Sequence, residues 1–111
     1  MIEIPDQLAR DICYFVGTNY DDPEERNYVI SLIKFAYADL LEKTGVNWLE
    51  NETPKYDIAL EVVRSKVYLS YYGNRDDAKN TEHLERFIAS KTFSLEYSSE
   101  AVQARREAHG P

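Results

Sequence analysis

Apolar positions recur at three- and four-residue intervals through most of this chain, and glycine or proline stands where the rhythm breaks. A short first helix is predicted from about Asp6 to Val16, with Leu8, Ile12 and Phe15 or Val16 facing inward and Gly17 after it. Thr18 to Asp22 reads as a polar loop. Asp22-Pro23-Glu24-Glu25 then supplies a capping carboxylate, a proline suited to the first helical position and a glutamate at the capping-box position. The helix that it opens runs to about Thr44 and ends at Gly45. Its main stripe is Val29, Ile33, Ala36 and Leu40, widened by Ile30, Tyr37 and Leu41. Tyr28, Leu32 and Phe35 form a second apolar patch beside it.

The next helical pattern has the same peculiarity. Thr53 can cap a helix, Pro54 fits its first position, and Gly73 can take the left-handed stop. Between them, Leu60, Val63, Val67 and Tyr71 make one stripe, while Ile58, Val62 and Leu69 make another, roughly opposite. Either the helix is surrounded by its own chain, or one stripe is reserved for a second subunit. Trp48, in the connection before it, reads as core.

Beyond the polar turn Asn74 to Asp77, a short helix is expected from Asn80 or Thr81, with Leu84, Phe87 and Ile88 inward. Residues 92–98 then change period: Phe93, Leu95 and Tyr97 alternate with Ser94, Glu96 and Ser98, as in a half-buried strand. Its partner edge is either the segment around Ile2 and Ile4 or another chain. Residues 100–111 read as a frayed helix or a disordered tail after a domain covering 1–99. The expected fold is mainly α. It is a small bundle of about four helices with two long antiparallel central ones and a short C-terminal strand.

The 111 residues, 43% of them hydrophobic, suffice for one domain with a modest core. The start lacks the pattern of a signal peptide and no stretch is apolar enough for a membrane span, so a soluble intracellular protein is expected. Cys13 is the only cysteine, which excludes an internal disulfide or a thiolate metal cluster and suggests a small core residue. The net charge of −7 argues against a general nucleic-acid binder. The charge is also uneven: residues 1–63 hold 13 acidic and 5 basic side chains, residues 64–111 hold 7 and 8. Such polarity suits copies that meet head to tail, although solvated faces produce it too.

Candidate chemistry is sparse. His83, His109 and Cys13 show no metal-ligand or nucleophile spacing, the glycines form no phosphate loop, and paired carboxylates such as Glu24/Glu25 sit where capping explains them. No catalytic, cofactor or metal residue is assigned. Nine tyrosines stand out instead, with Tyr68, Tyr71 and Tyr72 clustered at one helix end. A tyrosine suits an interface because its ring buries well while its hydroxyl tolerates water; it also caps a core.

The run Asp57-Ile-Ala-Leu-Glu-Val-Val-Arg-Ser-Lys-Val-Tyr-Leu-Ser-Tyr-Tyr-Gly-Asn-Arg-Asp-Asp77, preceded by the helix from Asp22-Pro23-Glu24-Glu25 to Gly45, resembles the small head-to-tail connector (adaptor) proteins of tailed bacteriophages and prophages. The likeness covers roughly residues 5 to 90; the alternating segment Phe93 to Tyr97 departs from the family's helical ending. The resemblance implies a non-enzymatic homo-oligomeric ring without cofactor, made in the bacterial host cytoplasm and placed in the virion neck. Such a ring lies beneath the portal, extends the channel for double-stranded DNA without reading its sequence, and docks the next neck or tail protein. On this reading Tyr28, Leu32 and Phe35 of one copy meet Ile58, Val62 and Leu69 of the next. Phe93, Leu95, Tyr97, Arg105 and Arg106 are candidates for contact with the portal or a neck partner. The alternatives are another phage neck or tail-completion protein, or a small acidic regulatory module that binds one partner protein.

Overall fold

Glycine decides where the first two helices stop. Gly17 (φ 83°) and Gly45 (φ 75°) both take the left-handed conformation that a Cβ disfavours. Their N–H groups close onto Cys13 and Tyr14 oxygens in one case and the Leu41 oxygen in the other. The computed structural model describes residues 3–49, 56–72 and 78–109. Five helices lie among them: α1 (Asp6–Val16), α2 (Pro23–Thr44), α3 (Tyr56–Tyr72), α4 (Ala78–Glu96) and α5 (Ser99–His109). The bounds of α1 and α2 agree with the capping signals. Asp22 accepts from the Glu24 N–H at 3.0 Å, and Pro23 occupies the first helical position. Thr53, Pro54, Gly73, the turn Asn74 to Asp77 and Ile2 lie outside the described residues.

The mainly helical expectation holds, with two corrections. No strand occurs among the described residues, and α4 is one of the longer helices rather than a short one. The alternation at Phe93, Leu95 and Tyr97 is accidental. Ile88, Thr92 and Leu95 repeat at i, i+4 and i+7, and Thr92 and Leu95 are buried, so the true period is helical. Thr92 hides that period because it is polar in name. Phe93 and Tyr97 stand one turn apart and stack, their ring centroids separated by 4.6 Å. A solitary strand would leave its backbone groups unpaired, whereas a helix pairs them internally. A fifth helix, α5, follows where the sequence suggested a frayed helix or a disordered tail. The Ser98 hydroxyl starts it, accepting from the Ala101 N–H at 3.2 Å while donating to the Leu95 oxygen at 2.6 Å.

The core is one continuous cluster. Ile12, Cys13 and Val16 of α1 meet Val29, Ile33, Ala36, Tyr37 and Leu40 of α2, with Ala59, Val62, Val63 and Val67 of α3. Leu95 and Ala101 extend it into α4 and α5. Trp48 is buried as expected, and its indole N–H donates to Thr44 Oγ1 at 3.0 Å. That hydroxyl also accepts from the Val46 N–H and donates to the Leu40 oxygen, so one threonine holds the turn after α2 together. α2 contacts all four other helices, while α1 touches α2 and α3 and makes no contact with α4 or α5. The extents of 48 × 32 × 20 Å describe a slab. Its short dimension is that of two helix diameters, ~10 Å each.

Candidate assembly surface

Where the start of α2 meets the end of α3, polar side chains fix the geometry. Glu25, at the capping-box position, does not turn back to its own helix end. Its Oε2 accepts from the Thr18 hydroxyl at 2.7 Å and from the Tyr71 hydroxyl at 2.8 Å. These donors, Thr18 first, hold the Glu25 carboxyl below its ordinary value against a smaller opposing effect of desolvation. The Tyr72 hydroxyl donates to the Val16 oxygen. A chain of rings runs through the same corner: Phe15 to Tyr68 at 6.1 Å, Tyr68 to Tyr72 at 4.7 Å, Tyr72 to Tyr71 at 4.9 Å and Tyr71 to Tyr28 at 5.9 Å. The tyrosine cluster therefore caps the core at the α3 end. Tyr28 belongs to this corner, half of it still exposed.

Parts of the two apolar stripes assigned to opposite partners, Leu32 and Phe35 of one and Leu69 of the other, share one face. Leu32 and Phe35 of α2 line a groove of about 330 Å³ together with Leu69 of α3. An adjoining groove of about 450 Å³ lies against α4, lined by Leu69, Ile88 and Phe93 among others. Lys66 and Leu69 belong to both, so the grooves form one surface running from α2 across α3 to α4. Phe35 is 75% exposed on it, and Phe93 and Tyr97 are 63% and 66% exposed.

Two of the candidate interface residues are removed from any surface. Val62 and Leu95 have no exposure at all. Val62 faces the core because the inner side of α3 is wide enough to take Ala59, Val62, Val63 and Val67 together. Leu95 points inward because the segment is helical. Ile58 is partly buried against the core. Arg105 and Arg106 are exposed on α5, and Arg105 donates to the Glu96 oxygen at 2.8 Å, back across the α4–α5 joint.

Between the grooves sits a small charge cluster. Asp39 pairs with Lys66 and, at 3.1 Å, with Lys43. Burial by itself would push the Asp39 carboxyl up, but hydrogen bonds and charge from Lys66 and Lys43 together outweigh it and hold it low. Cys13 is buried within the core; burial, then the charge of Glu25, raises its thiol, so it is a packing residue in a chemically quiet form. Among the described residues, no group of three or more His, Cys, Asp or Glu side chains is placed to hold a metal ion. No described helix is long and apolar enough to cross a membrane.

The sequence pattern missed Tyr14 and placed Leu41 inward, whereas Leu41 stands exposed at the edge of the α2 stripe. Tyr14, on the outer side of α1, is 88% exposed, with the half-exposed Phe15 beside it. The signal was an aromatic residue outside the α1 stripe once Ile12 and Val16 are taken as inward. The molecule thus presents exposed aromatic residues in two places, on α1 and on the α2–α3–α4 face. No protein-family model, curated protein or solved structure matches this chain.

Proposed function

We propose that the chain is a structural subunit of a homo-oligomeric ring, of the head-to-tail connector kind found in phage necks. In that role it lies between the portal and the tail, extends the DNA channel and docks the next neck component, with no catalysis. The observation that supports the reading best is that large aromatic side chains stand exposed on several helices of a thin slab, Tyr14 on α1, Phe35 on α2 and Phe93 on α4. Large exposed apolar patches are uncommon on monomers and mark contact sites. Two unlike patches on different helices suit a heterologous contact, the kind that repeats around a ring. Leu32, Phe35 and Leu69, on the broad face, form one side of the copy-to-copy contact. Tyr97, Arg105 and Arg106, grouped around the α4–α5 joint, form the surface offered to the portal or to the next neck protein. The acidic excess of the first 63 residues suits a channel lining, since carboxylates make no phosphate contacts that a passing duplex must break.

Light scattering and negative-stain microscopy over a range of concentrations, with and without purified portal rings, test this. A closed ring, alone or on the portal, is the expected result. A chain that stays monomeric and never assembles on the portal overturns the reading and leaves the small acidic partner-binding module. Assembly on a different neck component makes it another tail-completion protein.

A further inference from the structure

The groove between α3 and α4 is built for an aromatic side chain with a polar tip. Leu69, Ile88 and Phe93 give it apolar walls. Thr92 also lines it, and this residue is only 5% exposed while its Oγ1 has no hydrogen-bond partner among the described residues. A buried hydroxyl without a partner carries a desolvation cost that an incoming donor or acceptor removes. The charges are sorted by helix: Lys43 and Lys66 come from α2 and α3, Glu85 and Glu96 from α4.

The outer side of α1 carries the matching set. Tyr14 is almost wholly exposed, and Arg10 and Asp11 precede it by four and three residues, so both neighbour it on the helix surface. Asp11 accepts from Gln7 at 2.8 Å through Oδ1. The Arg10 guanidinium lies over the Tyr20 ring at 4.8 Å. One anion and one cation therefore flank the tyrosine, as a lysine wall and a glutamate wall flank the groove. α1 makes no contact with α4, so Tyr14 does not fill the groove of its own copy through that helix.

We propose that Tyr14 of one copy enters the α3–α4 groove of the next. Its ring packs on Leu69, Ile88 and Phe93, and its hydroxyl meets Thr92 Oγ1. Asp11 faces Lys43 and Lys66, and Arg10 faces Glu85 and Glu96. The two charged walls fix the direction of the incoming helix, and the same contact repeats from copy to copy. This inference rests on the ring reading and supplies the second half of its heterologous interface.

Variants with one added cysteine test the contact directly, since the native Cys13 is buried. Tyr14→Cys and Ala89→Cys, the latter at an exposed position lining the groove, are purified separately and oxidised alone and mixed. The expected result is a covalent dimer only in the mixture and a ladder of multiples in the double variant. Tyr14→Ser should weaken assembly by roughly thirtyfold or more, as for an interface hot spot. Asp11→Lys should weaken it as well, and Lys43→Glu should recover part of the loss, which a merely structural effect would not do. Circular dichroism checks that each variant is folded. Self-linking of Tyr14→Cys, or rings that form without cross-links in the mixture and survive Tyr14→Ser, overturns this contact and leaves the ring reading in place. A chain that is monomeric under every condition overturns both.

Discussion

The hydroxyl of Tyr71 donates to Glu25 at 2.8 Å, tying the last turn of α3 to the first turn of α2 across 46 positions of sequence. Thr18 donates to the same oxygen, so the loop after α1 is held by that carboxylate too. This contact, with Asp39 between its lysines, should make the fold acid-sensitive.

Both carboxyls are held below their ordinary values in the folded chain. A group with a depressed folded pKa contributes stability above its unfolded value and loses that contribution as the pH falls through the folded one. The urea midpoint should therefore be flat from the ordinary carboxylate range up to neutrality and decline from about pH 4 downward. A variant combining Glu25→Gln and Asp39→Asn should be less stable near neutrality and decline less steeply. An equally steep decline in that variant would assign the acid sensitivity to other groups.

Thr44→Val should destabilise the chain by about 2–4 kcal/mol, because it leaves two buried N–H groups, those of Val46 and Trp48, without an acceptor. The replacement is close to isosteric, so packing changes little. Equilibrium urea denaturation measures the loss. A companion Trp48→Phe variant, which removes one of the two donors, should reduce the additional effect of the threonine change.

Val62→Asp and Phe35→Asp should behave oppositely, although both positions lie on apolar stripes. Val62 is fully buried, and an unpaired carboxylate there should cost more than ~3 kcal/mol and abolish the helical signal. Phe35 is mostly exposed, so its variant should keep the monomer's circular dichroism and its midpoint within about 0.5 kcal/mol.

Gly45→Ala should cost about 1–2 kcal/mol from the left-handed backbone alone. Its new Cβ would also lie 3.4 Å from the Ala104 Cβ, at the close edge of ordinary contact, so any tightening falls on α5. Gly17→Ala bears the backbone cost, and among the described residues its Cβ would meet the Tyr72 hydroxyl oxygen at an ordinary 3.5 Å. Faster amide exchange in α5 should accompany the first substitution and be absent from the second.

Capping chemistry made α1 and α2 legible from the sequence, since Gly17, Asp22, Pro23 and Gly45 each act through local backbone geometry. Burial of Trp48 and Cys13 followed from residue type. What failed had tertiary causes. Thr92 is an inward position that polarity conceals, so the sequence alone predicts a short helix followed by a strand where α4 stands. Val62 and Leu69 share a stripe on α3, yet only Leu69 reaches the surface, because neighbouring helices cover the rest. Tyr14 was one aromatic among many until α1 was seen to leave it uncovered.

Each of the other four described helices packs against α2. The 22 residues of α2 make a strut of about 33 Å, running from the corner where Glu25 is clamped to the turn where Gly45 meets α5.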